Sequence, residues 1–279
     1  MKTKKLRISL VGRTNAGKST LINRIVGEKI SIQNKKINTT QDTIIGIRNI
    51  KESQLLFYDT PGSNFLKNLD AQSKKLKKNL WNGIDESDLI LYLIDSSSIN
   101  TKFLFEQLEK INETKKKIIV VFNKTDLILN KKLLPIITKI SNHFKVESFF
   151  TISAKKNIGI DDILKFLKKY TYPGKWEYLN DEITNKDDKF FLSELLRETL
   201  LTYLHKEIPY NISIRTTNFK ELSKSDIKIK QKILINEKRY KKIILGKKGS
   251  MIKKIREECQ KKIKSVFKKK IHLYIELIT

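Results

Sequence analysis

Four short groups of residues have the types and spacing to do chemistry on a nucleotide. Gly12-Arg13-Thr14-Asn15-Ala16-Gly17-Lys18-Ser19-Thr20 fits G-x-x-x-x-G-K-[ST]. Gly12 and Gly17 allow a sharp turn that brings backbone N–H groups to phosphate oxygens. Lys18 offers a point charge for β- and γ-phosphates, and Ser19 a hydroxyl for Mg²⁺. As a bare string this could be a glycine-rich turn with a stray lysine. Its setting argues otherwise: it follows an apolar run (Leu6, Ile8, Leu10) and opens a helical pattern (Leu21, Ile22, Ile25), the strand–loop–helix context such a loop needs.

Asp59-Thr60-Pro61-Gly62 ends a second strand-like run. A carboxylate there can hold Mg²⁺, generally through water, opposite Ser19, and the Gly62 N–H can reach a γ-phosphate. Asn123-Lys124-Thr125-Asp126 ends a third run. Asp126 can accept from guanine N1–H and N2–H₂; adenine would leave that carboxylate badly paired, at a cost of ~1–3 kcal/mol. Asn123 can tie its loop to the phosphate loop, and the stem of Lys124 can cover a base face. Ser153-Ala154-Lys155 offers a backbone N–H to guanine O6. Thr39-Thr40 is a hydroxyl pair in a polar loop, equally readable as a strand cap.

Stepping from these residues to the elements that hold them, positions 6–170 alternate short apolar runs with helical patterns. That alternation predicts a mostly parallel sheet with helices on both faces. Strands are expected over 6–11, 43–50, 54–58, 89–94, 117–122 and 148–152, and helices over 67–81, 102–112, 133–143 and 161–169. Residues 171–189 lack periodicity and contain Pro173-Gly174, as a linker would. Beyond them the order is helix 190–206, strands 210–215 and 227–236, helices 240–245 and 250–267, and strand 271–278, a small α+β domain. Gly246-Lys247-Lys248-Gly249 joins the last two helices. There glycines let backbone lie against sugar-phosphate, with Ser250, Lys253 and Lys254 following and Ile244 and Ile252 expected to line a base-reading groove. Ile255, Cys259 and Ile263 recur at helical spacing and read as core.

The chain has 279 residues, one cysteine and a net charge of +28. A single cysteine excludes an internal disulfide and fits a reducing compartment. No apolar run reaches membrane-spanning length, and the early strand at Leu6 leaves no room for a leader, so a cytosolic protein is expected. Lysine is abundant throughout, which makes its distribution the useful signal. More than half the excess charge lies from Asn211 onward, pointing to a polyanionic partner at that end. His143, His205 and His272 have no metal-ligand spacing.

These motifs, in this order, resemble a translation-factor-class GTPase and more narrowly the Era family, from about Leu6 to Ile278. Glu207-Ile208-Pro209-Tyr210 contributes to the resemblance. It implies a G domain over 1–170 and a type II KH domain over 190–279 that binds ribosomal RNA. It further implies GTP, GDP and Mg²⁺ as ligands, with one or both of Thr39 and Thr40 closing over Mg²⁺ and the γ-phosphate, and Lys18, Thr40, Asp59 and Gly62 serving hydrolysis. Asn15 stands where related GTPases hold K⁺ against the phosphates. The partner implied is the small ribosomal subunit, through the 3′ region of its 16S rRNA during 30S assembly. A bacterial, cytoplasmic monomer with weak peripheral contact to the inner membrane face fits the same pattern. Ser63 follows the D-x-x-G where some GTPases carry a water-positioning glutamine, so slow intrinsic hydrolysis is expected. Lys248 and Arg256 depart from the family's loop and helix. Two other classes compete: an RNA-binding module with a non-hydrolysing G domain, and a GTP-dependent peripheral membrane switch.

Overall fold

The runs without period-2 alternation become adjacent strands in the middle of one sheet: β1 (Lys4–Gly12), β4 (Leu89–Asp95) and β5 (Lys117–Asn123). Both of their faces are covered, as a continuously apolar strand requires. Tyr92, Ile94, Val120 and Phe122 pack with Leu80, Leu104, Leu108 and Ile140 on one side. Leu91, Leu93, Ile119 and Val121 point the other way and are equally buried. The computed structural model describes residues 3–32, 43–63, 71–204, 208 and 212–279. Thr39, Thr40, His205, Glu207, Pro209 and Tyr210 lie outside these.

The sheet runs β2 (Ile44–Ile50), β3 (Ser53–Asp59), β1, β4, β5, β6 (Ser148–Thr151). Every pair along it is parallel except β2–β3. The helices between strands are α1 (Lys18–Val26), α2 (Ala71–Asp85), α3 (Thr101–Asn112), α4 (Leu134–His143) and α5 (Ile160–Leu167). In α5, Ile160, Ile163, Leu164 and Leu167 are buried at helical spacing, while Asp161 and Asp162 sit in the first turn, where the helix dipole favours acids. Right-to-left order aside, all the parallel strands end on one edge of the sheet, and the four motif loops follow β1, β3, β5 and β6 there.

The stretch expected as a linker is held along this first unit as far as Asn185, where the unit ends. A two-residue strand, β7 (Tyr172–Pro173), pairs antiparallel with Lys4 and Lys5 of β1. Glu177 takes Lys5 Nζ at 2.9 Å and Arg7 Nη2 at 2.7 Å. Gln54 Oε1 accepts the N–H groups of Glu177 and Tyr178, and its Nε2 donates to the Tyr178 carbonyl. The contacts are mostly side chain to backbone, so they leave no hydrophobic period to read.

The second unit runs from Lys186 to the end of the chain. Its elements are α6 (Asp188–Tyr203), β8 (Ile212–Glu221), β9 (Asp226–Ile235), α7 (Lys238–Leu245), α8 (Ser250–Phe267) and β10 (Lys270–Ile278). The sheet order is β10-β9-β8, with β10–β9 parallel and β8–β9 antiparallel. β8 runs further than its first apolar residues suggest, carried past a register shift between Thr216 and Asn218. Leu192, Leu195, Leu196 and Leu200 of α6 and Ile255, Cys259 and Ile263 of α8 pack on Ile227, Ile229 and Ile233. A buried polar knot pins α6 to the sheet: Gln231 Nε2 donates to the Leu192 carbonyl (2.8 Å) and Thr216 Oγ1 (3.0 Å), and Thr216 N–H donates to Ser193 Oγ.

Candidate functional site

The backbone after β1 turns through Gly12 (φ +152°), Asn15 (φ +66°) and Gly17 (φ +101°) before α1 begins. A Cβ on Gly12 would lie 2.3 Å from the Leu93 carbonyl oxygen, and one on Gly17 2.1 Å from Asn123 Nδ2. Neighbouring strand and loop thus press on this turn, and only glycine fits. Lys18 Nζ folds back over the turn, donating to the Gly12 carbonyl at 2.9 Å and the Arg13 carbonyl at 3.1 Å. Burial pushes its ammonium down to about 8, against the pull of Asp59.

Asp59, fully buried at the end of β3, faces the same turn. Its Oδ2 accepts from Ser19 Oγ (2.9 Å) and Ser31 Oγ (2.8 Å). Its Oδ1 is buried with no hydrogen-bond partner among the described residues. Burial raises the Asp59 carboxyl above its ordinary value, opposed by Lys18 and the two serines. A buried carboxylate oxygen beside a serine hydroxyl is the donor set a hard divalent cation takes, so Ser19 and Asp59 fit Mg²⁺. Past Asp59, Thr60 Oγ1 donates to the Leu10 carbonyl at 2.6 Å, and a Cβ on Gly62 would lie 2.4 Å from Thr14 Oγ1. Pro61 lies between them, and the D-x-x-G segment presses directly against the first loop.

At the far end of the row, Asn123 holds two loops at once. Its Nδ2 donates to the Ala16 carbonyl (2.8 Å), and its Oδ1 accepts from Ala154 N–H (3.0 Å). Lys124, in the left-handed region (φ +64°), extends to Asp95 Oδ2 at 2.5 Å. Thr125 Oγ1 donates to the Ile152 carbonyl, and a hydrogen bond with Ser153 holds the Asp126 carboxyl below its ordinary value. The structure therefore brings Gly12–Thr20, Asp59–Gly62, Asn123–Asp126 and Ser153–Lys155 into one continuous rim.

In the second unit, Gly246 (φ +70°) and Gly249 (φ +78°) bound the turn between α7 and α8. A Cβ on Gly246 would meet Met251 Cβ at 2.6 Å. Lys248 is left-handed as well (φ +51°), a conformation that a lysine rarely adopts. Lys247, Lys248, Ser250, Lys253 and Lys254 are exposed, and Ile252 is half-buried. Ile244 corrects the expectation of a base-reading residue: it is fully buried in the core and presents no surface. Its neighbour Ile243 is 49% exposed. No group of three or more metal-ligating side chains occurs among the described residues, and no described helix is long and apolar enough to cross a membrane.

Residues 7–124 match the family model described as 50S ribosome-binding GTPase, and residues 207–279 match that of the KH domain. The chain is 34% identical to GTPase Era of Ehrlichia ruminantium (strain Gardel) over 267 residues, spanning 96% of this chain and 90% of the relative. It is 35% identical to GTPase Era of Rickettsia prowazekii (strain Madrid E) over 272 residues, spanning 98% and 91%. The chain belongs to the Era family of GTPases. Its fold matches the crystal structure of Era in complex with MgGDPNP and nucleotides 1506–1542 of 16S ribosomal RNA, with a TM-score of 0.87, 29% identity, and 99% and 93% of the two chains covered. An Aquifex aeolicus Era variant bound to GDP·AlF4⁻ matches with a TM-score of 0.88, 29% identity and the same coverage. The chain is thus an Era-type GTPase, a P-loop GTPase domain followed by a KH domain.

Within this Era-family G domain, three positioning residues carry no motif of their own. Asn23 Nδ2 donates to the Ser31 carbonyl, while its Oδ1 accepts from Ile30 and Ser31 N–H, which fixes the turn that brings Ser31 to Asp59. Arg24 Nε and Nη2 donate to the carbonyls of Ala154 and Lys155 at 3.2 and 3.0 Å. Asp95 takes Lys124; partial burial pulls its carboxyl up, but the hydrogen bonds from Lys124 and Ser97 hold it below its ordinary value. All three act through pairings formed only when the chain folds, and no local spacing announces them.

Proposed function

We propose that this chain hydrolyses GTP at the rim formed by its four G-domain loops, and that the nucleotide held there governs binding of the 3′ region of 16S rRNA by its KH domain during small-subunit assembly. The observation that carries the nucleotide half is the double hydrogen bond of Asn123 to Ala16 and Ala154, which links the phosphate-type loop to the guanine-type loop. The RNA half is supported by the similarity to Era crystallised with nucleotides 1506–1542 of 16S rRNA and by the exposed lysines around Gly246–Gly249.

In the reaction, water attacks the γ-phosphorus in line with the departing β-phosphate oxygen. Gly12–Thr20 wraps the phosphates with backbone N–H groups, and Lys18, released from the Gly12 and Arg13 carbonyls, neutralises charge on the β- and γ-oxygens. Ser19 and Asp59, with Thr39 or Thr40, would hold Mg²⁺, which would supply Lewis-acid stabilisation of charge on those oxygens. Gly62 reports the γ-phosphate through its N–H. Asp126 selects guanine by accepting from N1–H and N2–H₂, Ser153–Lys155 faces O6, and Lys124 covers the base. Asn15 would hold K⁺ against the phosphates, where the ion would add positive charge. Ser63 is fully buried and carries no amide to orient water, which supports slow intrinsic turnover.

The test is the affinity of the full chain for a synthetic RNA spanning 16S nucleotides 1506–1542, with Mg²⁺ and either GDPNP or GDP. Tighter binding with GDPNP is expected; equal affinity in the two states sinks the coupling.

A further inference from the structure

The three helices of the KH domain cover one face of its sheet, and the other face is strongly charged. Along β9, Ile227, Ile229, Gln231 and Ile233 turn inward, while Lys228, Lys230 and Lys232 alternate outward. Arg215 of β8 lies opposite Lys232, and Asn218 opposite Lys230. On the other flank, Tyr274 of β10 lies beside Lys230 and Glu276 beside Lys232. Tyr274 is 53% exposed, with Lys228 Nζ 5.6 Å from its ring centroid. Where the register shifts at Thr216–Asn218, the face hollows into a cavity of about 560 Å³ lined by Thr217, Asn218, Lys230, Lys232 and Tyr274 among others.

We propose that this outer sheet face is a second RNA-contact surface, separate from the Gly246–Gly249 turn, that tracks sugar-phosphate with Arg215, Lys228 and Lys230 and stacks one unpaired base on Tyr274. The proposal rests on the RNA reading of the KH domain given above. Arg215, Lys228, Lys230 and Lys232 stand against the carboxylate of Glu276, which pairs with Lys232 at 3.5 Å, while Asp226 at the start of β9 is taken up by His272, so the excess charge of the face is positive and complements a polyanion. An aromatic ring set among cations is the pairing that holds single-stranded nucleic acid without demanding a sequence. The hollow also has the size of a small-ligand pocket and offers Asn218 and Thr217 to a base edge. An anionic membrane would meet the same charges, but of the residues lining the hollow Tyr274 alone is a large exposed apolar group, which gives a bilayer little to bury. The residues lie on three neighbouring strands of a sheet packed on its other side, so the platform is rigid rather than a loop that must order on binding.

The experiment uses the full chain with GDPNP and Mg²⁺ and a fluorescein-labelled RNA spanning 16S nucleotides 1506–1542, titrated at several salt concentrations. The double variant Arg215→Gln/Lys230→Gln is expected to bind about tenfold more weakly, with the salt slope shallower by roughly 1.4, or 0.7 for each of two phosphate contacts. Tyr274→Ala is expected to weaken binding by about 5- to 100-fold with the slope unchanged, and Tyr274→Phe to restore it. Thermal midpoint and GTP hydrolysis without RNA should match the unmodified chain in all three. The comparison variant is Lys247→Gln/Lys248→Gln. If it loses RNA while the sheet variants keep full affinity and slope, the sheet surface is refuted and the KH reading stands. If neither set loses RNA, the KH reading itself fails. If the sheet variants keep RNA but lose phosphatidylglycerol vesicles, the face belongs to lipid and the proposal is overturned.

Discussion

Asn123 Nδ2 lies 2.8 Å from the carbonyl oxygen of Ala16, a residue 107 positions earlier in the chain. The same side chain accepts from Ala154 N–H, so one amide sets the spacing between the Gly12–Thr20 loop, its own loop and the Ser153–Lys155 loop. Asn123→Ala removes both bonds and leaves two buried backbone groups unpaired. At roughly 1 kcal/mol or slightly more each, GDP affinity should fall about 30- to 150-fold. Competition binding with a fluorescent GDP measures it. A loss below threefold would mean that the loops keep their spacing without this link.

Lys18 makes a prediction about stability with a sign opposite to that of most ion-pair removals. Its ammonium is buried and pushed down to about 8 from an ordinary 10.5. Between pH 8 and 10.5 the unfolded chain therefore binds a proton that the folded chain does not, and stability without nucleotide rises with pH through that window. Below pH 8 both states are protonated and the burial cost is present in full. Lys18→Met should then stabilise the nucleotide-free protein at pH 7 by roughly 1–3 kcal/mol, an advantage that fades by pH 10.5. The same variant should lose the stabilisation that GDP confers. Urea unfolding at pH 7 and pH 10, with and without GDP, tests both halves; destabilisation at pH 7 would contradict the first.

The parts of this molecule that could be read before folding are those whose partners are near in sequence or implied by a strand's end. Gly12, Asp59 and Asn123 each sit where an apolar run stops, with Lys18 opening the helix after the first of them, and the sheet brings those stops to one edge. Arg24 and Asn23 escaped notice because an arginine and an asparagine on a helix are unremarkable until Ala154 and Ser31 are placed beside them. Residues 172–185 looked like a linker because they contact β1, β2 and β3 through ion pairs and amide bonds rather than an apolar stripe. Ile244 departs from its expected place for a geometric reason. Successive helical residues are about 100° apart, and α7, at eight residues, is too short for its pattern to decide between Ile243 and Ile244.

Asp126 should decide the base through the sign of its hydrogen bonds. The carboxylate, held below its ordinary value by Ser153, is an acceptor pair throughout the neutral range. Asp126→Asn turns one acceptor into a donor that faces the guanine N2–H₂, so GTP binding should weaken by about 100-fold. Xanthosine triphosphate, with a carbonyl at that position, becomes the better ligand. Inhibition of labelled-nucleotide binding by GTP and by xanthosine triphosphate gives the ratio, and an unchanged preference for GTP would place the selecting group elsewhere.

Asn15 gives the last prediction. It is exposed, at the crest of the turn between Gly12 and Gly17, and its backbone is already in the left-handed region, which asparagine tolerates better than most residues. That places a carbonyl-bearing side chain on the loop proposed to wrap the phosphates. Ser63, meanwhile, lacks an amide that would position water, and charge stabilisation is the lever a cation at Asn15 would strengthen. A monovalent cation held at Asn15 would add one positive charge near the phosphates. If it is worth ~1 kcal/mol in the transition state, hydrolysis should be about fivefold faster in K⁺ than in Na⁺. The larger ion is favoured because a ring of neutral oxygens replaces its hydration more readily. Asn15→Ala should bring the K⁺ rate down to the Na⁺ rate while leaving GDP affinity within about twofold, since the ion acts on charge that develops during the reaction. Single-turnover hydrolysis in matched KCl and NaCl buffers separates these outcomes. Equal rates in the unmodified chain would remove the cation from the mechanism and leave Lys18 and the Mg²⁺ site to supply the charge.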